Sequence, residues 1–314
     1  MRVDVHAHYY PVDYLDYLDE HGGSPVGTGM SRDVFGGGSE RDLSVRLTSM
    51  DQAGVALQVL SSSAQVPVFA DLSSAAEGAR LCNRLYAEVV RRHPDRLIGL
   101  GTLPLPHVDG SISEIAYCMD ELSMPGVGVV TSVLKQSIAD PAFEPVFDEL
   151  DQRKAILFLH PAMLGASCEA INEYHLSSSI GQAVEDALAL VSLLQRGILG
   201  RYPNIQLVSA HMGGFVPYVF ERVDRHLSTK EPGSPTAGEL LRRVWYDTAN
   251  AHPPALRCLC DTVGTSRVVI GTDFPHSRDQ AFQRQIAFLD DSGLSNEQVH
   301  AIREVNGATL LHLI

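Results

Sequence analysis

Eight short apolar runs with the composition of β-strands recur along the chain, and segments with helical spacing of apolar residues separate them. Strands that alternate with helices predict parallel pairing through right-handed crossovers, and eight such units predict a closed (β/α)8 TIM barrel of the α/β class. The competing architecture, an open doubly wound sheet, would have a glycine-rich phosphate turn after its first strand. That position holds two histidines instead, so we favour the barrel. The strands are expected at Arg2–His6, Ala56–Ser61, Leu97–Leu103, Gly126–Thr131, Ile156–His160, Gln206–Ala210, Val244–Asp247 and Arg267–Gly271.

The length of 314 residues suits a single barrel domain spanning residues 1–314. Two stretches depart from the alternation. Gly22–Ser39 is rich in glycine and serine, which predicts a flexible insertion after the first strand, serving as a lid or a surface loop. Ser295–Ile314 predicts two short helices that pack outside the barrel or in a subunit contact. The other helices are expected at Leu43–Ala53, Ala75–Arg92, Ile112–Leu122, Glu144–Arg153, Ile180–Leu199, Val216–Leu227 and Pro254–Val263.

Composition narrows the class of partner. The net charge of −14 and the pI near 5.3 argue against nucleic acid and anionic membrane surfaces. No apolar run approaches the ~20 residues of a membrane span, and the N-terminus enters a strand without a leader segment. Five scattered cysteines form no C-x-x-C pair, which favours a reducing cytoplasm over secretion. We therefore expect a cytoplasmic enzyme.

Histidine and aspartate follow four of the expected strands. His6 and His8 are two residues apart, so on an extended strand their imidazoles point to one side and can share a divalent metal. His160 and His211 follow the fifth and sixth apolar runs, and Asp273 follows the eighth. Because chemistry in such barrels collects at the carboxyl ends of the strands, this layout predicts a metalloenzyme site at the barrel mouth.

The metal is expected to bind four of these residues: His6, His8, His160 and Asp273. As alternatives, a strand-end histidine is often structural, and Asp273 would also be stabilised by an arginine or by backbone amides. The fourth strand ends without the lysine that often bridges two metals in barrel hydrolases, which favours one ion. Three imidazoles and a carboxylate suit Zn²⁺, with Mn²⁺, Fe²⁺ and Co²⁺ as alternatives.

Two further histidines are candidates for the same site. His211 precedes Met212, Gly213 and Gly214, and the glycines allow a tight backbone turn. It is either a turn histidine or a general acid and base, because imidazole titrates near neutral pH. His276 lies three residues after Asp273 and is expected to contact substrate, to support a ligand or to be inert.

Five short sequence words, in this order and spacing, resemble the amidohydrolase superfamily, and within it the branch of aminocarboxymuconate-semialdehyde and 6-methylsalicylate decarboxylases. The resemblance extends from Val3 to about Leu311. The words are Asp4-Val5-His6-Ala7-His8-Tyr9-Tyr10-Pro11, Met50-Asp51-Gln52-Ala53-Gly54-Val55, His160-Pro161, Ala210-His211-Met212-Gly213-Gly214 and Gly271-Thr272-Asp273-Phe274-Pro275.

The resemblance implies roles for individual residues. His211 matches the catalytic histidine before the glycine pair, and the metal histidines and the strand-eight aspartate match the ligands named above. Arg222, eleven residues after His211, matches an arginine that reaches into the partner subunit's site, which implies a homodimer. Arg46 matches another family arginine, expected to bind substrate or to lie on a solvated helix face. The chain departs from the family at Met212, at Ala162 and Met163 after the third histidine ligand, and at His276, which puts the substrate in doubt.

The reaction implied by the resemblance is the non-oxidative decarboxylation of a small aromatic or conjugated carboxylic acid. His211 or Asp273 delivers the proton beside a single divalent metal, and no organic cofactor is expected. The alternative is metal-dependent hydrolysis of a lactone, amide or ester, which the same ligands would serve. A metal-binding scaffold without turnover is the non-enzymatic alternative, and the complete ligand set argues against it.

Overall fold

The computed structural model describes residues 1–34, 39–163, 169–228 and 233–314. In this part of the chain, eight parallel strands form a ring, and the third is interrupted at Leu100. The strands are β1 (Val3–His8), β2 (Leu57–Ser61), β3 (Leu97–Gly99 and Gly101–Thr102), β4 (Gly126–Val130), β5 (Ile156–His160), β6 (Gln206–Ser209), β7 (Trp245–Asp247) and β8 (Val268–Val269).

The ring is closed by parallel pairing of neighbours in sequence. The first half of β3 pairs with β2 and the second half with β4, so the interruption does not open the sheet. Two parallel bridges, Asp4 with Ile270 and Ala7 with Phe274, connect β8 back to β1. The predicted (β/α)8 barrel is therefore confirmed, and each expected strand is present with ends that differ by a few residues.

Helices surround the barrel at the expected places, except that the range predicted as one helix at Ile180–Leu199 contains a helix that ends at Gln195 and a second that begins at Ile198. Two of them begin three residues before the predicted positions, because Ser39 and Asp71 lie one turn ahead of the apolar pattern and cap the free backbone N–H groups. None of the described helices has the length and apolar character needed to cross a lipid bilayer. The helices are α1 (Val12–Glu20), α2 (Pro25–Asp33), α3 (Glu40–Ala53), α4 (Leu72–Arg92), α5 (Val108–Ala116), α6 (Glu144–Gln152), α7 (Glu169–Glu173), α8 (Gln182–Gln195), α9 (Ile198–Arg201), α10 (Val216–Leu227), α11 (Ala237–Leu241), α12 (Pro253–Val263), α13 (Gln280–Ala287), α14 (Asn296–His300) and α15 (Asn306–Leu310).

The segment Gly22–Ser39, predicted as a flexible loop, contains helix α2. The side chain of Ser24 caps this helix, and Pro25 occupies its first turn, where a missing N–H costs nothing. Arg32 pairs with Asp16 and Asp19 of α1 and joins the two helices. The flexible-loop prediction was wrong for α2: it followed the glycines of this segment, although Ser24 and Pro25 are typical of a helix start. Residues 35–38 lie outside the described ranges.

The C-terminal tail closes the amino-terminal end of the barrel. Leu310 and Leu311 belong to one apolar cluster with the strand residues Val5, Val59 and Phe158. The predicted short helices are present, but the expected position outside the barrel was wrong, since these side chains plug the barrel axis from below. The polar side chains lie at the other end of the barrel, where the strands have their carboxyl ends.

Candidate metal centre

The first two histidines reach the barrel mouth through an irregularity in β1. Val3 and Val5 pack in the apolar cluster of the barrel, and strict alternation would send His6 and His8 to the opposite face. The pairing register with β2 shifts between Asp4 and Ala7, which turns both imidazoles toward the site.

Five side chains converge at this end of the barrel. The Nε2 atom of His8 lies 3.2 Å from Nε2 of His6 and 3.0 Å from Oδ1 of Asp273. One nitrogen or oxygen atom from each of His6, His160, His211 and Asp273 lies within 4.8 Å of the others. The sequence therefore predicted the members of the cluster, and His211 lies within 4.8 Å of three of the expected ligands.

Each of the four imidazoles is held by its Nδ1 atom, which leaves Nε2 facing the centre. The Nδ1 atom of His6 lies 2.7 Å from Asp247 Oδ2, and that of His211 lies 3.0 Å from Asp186 Oδ2. Histidines that bind metals are oriented in this way by a carboxylate, carbonyl or hydroxyl group on the other ring nitrogen. The remaining partners are the Pro161 carbonyl for His160 and the Ser61 hydroxyl for His8.

Burial and charge set the protonation of the cluster. Burial on its own lowers the pKa of His6, but Asp247 and Asp273 outweigh it and raise that pKa to about 10. At His8 burial dominates and lowers the pKa to about 3. Burial would raise the pKa of Asp273, yet hydrogen bonds from His6 and His8 hold it well below its ordinary range. Without an ion, the cluster thus contains the ionised carboxylate of Asp273, the neutral imidazole of His8 and a protonated His6, whose proton a bound cation would displace.

His211 forms a separate buried pair with Asp186. Burial lowers the pKa of His211, but the adjacent carboxylate outweighs it and the pKa lies above its ordinary value. Burial raises the pKa of Asp186 to about 6 in spite of the imidazole. The Nε2 atom of His211 is buried and has no hydrogen-bond partner among the described residues. A buried polar atom without a partner is costly, so this nitrogen fits a site that receives a further group.

The donor set fits one divalent cation. Three or four imidazole nitrogens and one carboxylate oxygen are the ligands that Zn²⁺ and similar metals take in proteins. The orphaned Nε2 atom of His211 and the four anchored rings are the observations that support this fit. His6, His8, His160 and Asp273 are the residues that would hold the ion.

Two of the site residues adopt strained backbone conformations. His211 and Asp273 have φ values of 50° and 57°, in the left-handed region that residues other than glycine seldom adopt. Met212 follows His211 with φ 59°. Such strain persists where the surrounding structure fixes it, often at functional sites. Here it turns the chain sharply just after β6 and after β8, so that both side chains face the barrel axis.

Arg46 does not lie on a solvated helix face. Its side chain is 2% exposed, and its guanidinium donates to Gln58 Oε1 and to the His8 carbonyl. The guanidinium carbon also lies 4.5 Å from the centroid of the Phe274 ring. Arg46 therefore supports the end of β1 from behind. The expectation of a solvated helix face is corrected, and the substrate contact stays a prediction.

The other two predicted contacts lie at the edge of the site or beyond it. His276 is exposed, and its ring centroid lies 5.6 Å from that of His8, so it belongs to the rim of the mouth. Arg222 is exposed on α10 and is not among the side chains of the cluster. Tyr10 stacks on His8 at 5.8 Å between ring centroids and adds an aromatic wall that sequence reasoning did not include.

Sequence reasoning also missed the two carboxylates behind the histidines. Asp247 is the last residue of β7, so it lies at a strand end like the predicted ligands. The sequence pattern that identified those ligands was therefore present for Asp247 as well. Asp186 lies inside α8, among apolar residues, and an acidic residue in a helix gives no comparable signal. Its neighbour Glu185 is also buried and accepts from the Ala162 N–H and the Thr131 hydroxyl, which fixes the loop after β5.

Two curated relatives cover most of the chain. A 2-amino-3-carboxymuconate-6-semialdehyde decarboxylase from Dictyostelium discoideum is 28% identical over 303 residues, covering 88% of this chain and 82% of the relative. A 6-methylsalicylic acid decarboxylase from Penicillium expansum is 29% identical over 325 residues, covering 99% of this chain and 95% of the relative. The resemblance read from the sequence words is confirmed.

A solved structure has the same fold. It is a dihydroxybenzoic acid decarboxylase from Polaromonas sp. JS666 with bound manganese and the inhibitor 2-nitroresorcinol. The TM-score is 0.84 at 21% identity, and the match covers 99% of this chain and 97% of that chain.

The sequence model of the family described as Amidohydrolase matches residues 3–313, nearly the whole chain. With this match, the barrel and the histidine cluster at its mouth, the protein belongs to the amidohydrolase family.

Proposed function

We propose that the protein is a metal-dependent, non-oxidative decarboxylase of a small aromatic or conjugated carboxylic acid. The observation that supports this most directly is the cluster of four anchored histidines and Asp273 at the barrel mouth. The relatives that cover most of the chain carry the names of decarboxylases of such acids. Burying a charged cluster of this kind costs desolvation free energy that a purely structural role would not offset.

In this proposal His6, His8, His160 and Asp273 hold one divalent ion, with Zn²⁺ as the first candidate and Mn²⁺ as the second. When bound, the ion supplies Lewis acidity that polarises substrate oxygens and offsets negative charge. The protein residues orient the acid against the cluster. His276 at the rim is suited to contact a planar substrate, because it is aromatic, and the buried Tyr10 ring supports His8 from the side.

The residue that delivers the proton is His211 in this proposal. Its Nδ1 atom is fixed by Asp186, and its Nε2 atom is free and faces the cluster. A proton moves from Nε2 to the ring carbon that bears the carboxylate, a C–H bond forms, and the C–C bond to the carboxylate breaks as CO₂ leaves. Asp186 stabilises the protonated imidazole. Asp273 is the rival donor, but its Oδ1 atom is already engaged by His8 and lies 3.4 Å from Nε2 of His6.

The reaction is tested with the metal-loaded protein and a panel of acids, such as 6-methylsalicylate and 2,6-dihydroxybenzoate, with detection of CO₂. We expect CO₂ release from at least one acid and close to one metal ion per chain by mass spectrometry. Cleavage of a lactone, amide or ester, with no CO₂ from any acid, would support the hydrolase alternative and reject the proposal. A protein that binds well under one ion per chain would favour the scaffold.

The proton donor is tested with His211→Asn and Asp273→Asn. Loss of a general acid costs about 10²–10⁴-fold in rate, so His211→Asn should lose turnover to that extent while the metal content stays at wild-type level. Asp273→Asn should lose metal and turnover together. Turnover within tenfold of the wild type in His211→Asn would reject the assigned role.

We also propose that the active unit is a homodimer to which Arg222 contributes across the interface. Arg222 is exposed on α10, and Tyr218 on the same helix is 85% exposed, as expected for side chains that a second subunit covers. Arg222→Ala should lower kcat/KM without changing the metal content. A fully active monomer in sedimentation velocity would contradict the dimer.

The compartment we propose is the reducing cytoplasm. All the described cysteines are free thiols, namely Cys82, Cys118, Cys258 and Cys260. Thiols of this kind persist where glutathione and thioredoxin keep them reduced. Localisation of the tagged protein in its source cells is the direct test.

A further inference from the structure

A second group of metal donors lies at the rim of the barrel mouth, beside the cluster. His8, Asp273 and His276 each offer one nitrogen or oxygen atom, and these three atoms lie within 4.8 Å of one another. The His276 ring centroid lies 5.6 Å from that of His8 and 6.3 Å from that of Tyr10. These three donors, here called the rim group, share His8 and Asp273 with the residues proposed to hold the ion.

The backbone after β8 fixes His276 in this place. The Ser277 N–H donates to the Asp273 carbonyl at 3.0 Å and closes a turn that contains His276. Asp273 begins this turn with a φ of 57°, and the His8 N–H donates to the Phe274 carbonyl at 2.6 Å, which attaches the turn to β1. The fold itself therefore brings the three donors together.

Solvent exposure increases from the cluster toward the rim group. The side chains of His6 and His8 are 0% and 1% exposed, that of Asp273 is 21% exposed, and His276 is exposed. A divalent ion in water is strongly hydrated, and moving its charge into a buried site in one step is costly. Donors that are partly solvated allow the ion to exchange its waters for protein ligands in stages. Asp273 and His276 are placed to do this.

We propose that the rim group is the entry site for the divalent ion, where the ion binds first and from which it passes to its resident ligands. Two imidazoles and a carboxylate suit Zn²⁺, with water in the remaining position. The transfer keeps His8 and Asp273 as ligands and exchanges His276 for His6 and His160. The His276 ring is then free for the substrate contact proposed above. This inference rests on the proposed metal site and is independent of the reaction catalysed there.

Rates of metal exchange test the entry site, with Zn²⁺ as the probe. The loaded protein is mixed with an excess of a coloured chelator, whose absorbance gives the rate of metal loss. The protein freed of metal is then mixed with Zn²⁺ to give the rate of uptake, and competition with the chelator at equilibrium gives the affinity. His276→Phe and His276→Ala should each slow loss and uptake by the same factor of about tenfold, equivalent to about 1.4 kcal/mol of barrier height. The affinity should stay within about twofold of the wild type, because a transient site changes the barrier and neither end state.

Two comparisons separate a ligand from a steric effect. Phenylalanine keeps a ring at the rim and alanine removes it, so slower exchange in both variants follows from the lost donor nitrogen and not from a blocked mouth. His226→Phe is the matched control, because His226 is exposed on α10 and belongs to no donor group among the described residues. Its exchange rates should equal those of the wild type.

Three results would overturn the entry site. The first is wild-type rates in both His276 variants. The second is faster exchange in His276→Ala together with slower exchange in His276→Phe, which would show that the ring only narrows the mouth. The third is faster metal loss with a matching loss of affinity, which would make His276 a resident ligand.

The failure of the entry site and the failure of the proposed reaction give different results. Slower exchange in both His276 variants, with unchanged affinity, would support the entry site even if the protein released no CO₂ from any acid. Unchanged exchange in a protein that does release CO₂ would reject the entry site alone. A wild-type protein that binds no Zn²⁺ would reject both proposals.

Discussion

At the scale of single residues, we expect two buried carboxylates to support different functions, Asp247 metal binding and Asp186 proton transfer. Asp247 orients the His6 ring, and its Oδ1 atom also accepts a hydrogen bond from the backbone N–H of His211 at 2.9 Å. Asp186 contacts the ring of one histidine of the cluster, His211, and orients it. Loss of a carboxylate behind a metal-binding histidine typically costs 10–100-fold in metal affinity, so Asp247→Asn should weaken metal binding by about that factor.

Asp186→Asn is the matched variant, since it removes the same charge at a similar depth. It should reduce turnover by about tenfold or more and leave the metal affinity within about twofold of the wild type. Metal affinity is measured by competition with a chelator, and turnover with the metal saturated. Equal losses of metal affinity in both variants would contradict this division of roles.

The sequence predicted the five side chains of the cluster better than the groups that orient them. His6, His8, His160, His211 and Asp273 follow strand-like runs, and the barrel geometry gathers whatever follows its strands. Asp186, by contrast, comes from a helix, and which helical side chain enters the barrel mouth depends on how the helix packs. Arg46 was misread for the same reason: its partners, Gln58 and the end of β1, become neighbours only in the folded barrel.

At the scale of elements, the turn after β6 has room for glycine alone at one position. Gly214 has φ 62° and ψ −120°, and a Cβ atom there would lie 2.2 Å from the Ala183 carbonyl oxygen of α8. Gly214→Ala should cost more than about 2 kcal/mol and displace His211, because both the backbone angle and the contact forbid the methyl group. Thermal unfolding and turnover are the measurements.

A second glycine provides the comparison for this turn. A Cβ atom added at Gly200 in α9 would meet only the Leu240 Cδ1 atom within 4 Å, at 3.8 Å. Gly200→Ala should therefore leave stability unchanged or raise it by up to about 1 kcal/mol, since alanine suits helices better. Equal destabilisation by the two substitutions would show that the turn is not specially constrained.

Helices α10 and α11 are joined by a carboxylate whose contribution depends on pH. Asp224 accepts from the Ser228 hydroxyl and from the Gly238 N–H, each at 2.7 Å, and these hydrogen bonds hold its pKa below the ordinary 3.8. A depressed pKa in the folded state stabilises the fold above the unfolded-state pKa, and this contribution is lost as the pH falls through the folded-state pKa.

Asp224→Ala should lower the free energy of unfolding by about 1 kcal/mol at pH 7, because two hydrogen bonds are lost. The difference from the wild type should shrink below pH 4. Glu221→Ala, on the exposed face of the same helix, should have no such effect. Urea unfolding at pH 7 and pH 3.5 is the check, and a difference that grows as the pH falls would reverse the sign of the argument.

At the scale of the whole molecule, alternation of strands and helices was enough to predict the barrel, because few topologies bury eight parallel strands. It was not enough for the tail or for α2. The apolar side chains of α15 would suit an outer face, a subunit contact or the barrel axis equally well. The axis is favoured because Val5 and Leu100, at its amino-terminal end, present apolar surface that packs with Leu310 and Leu311.

If the tail is the lower plug of the barrel, its buried leucine should matter for stability and not for chemistry. Leu310 is 2% exposed among Val5, Val59 and Phe158, so Leu310→Ala should cost about 2–4 kcal/mol through lost burial and an unfilled cavity. Leu313, which is 46% exposed, is the control, and its replacement by alanine should change stability by less than about 0.5 kcal/mol. Denaturant unfolding measures both. Turnover and metal content at 25 °C should match the wild type, because the metal centre lies at the other end of the strands. Equal stabilities for the two variants, or loss of metal in Leu310→Ala, would contradict the separation of a stabilising lower end from a reactive upper end.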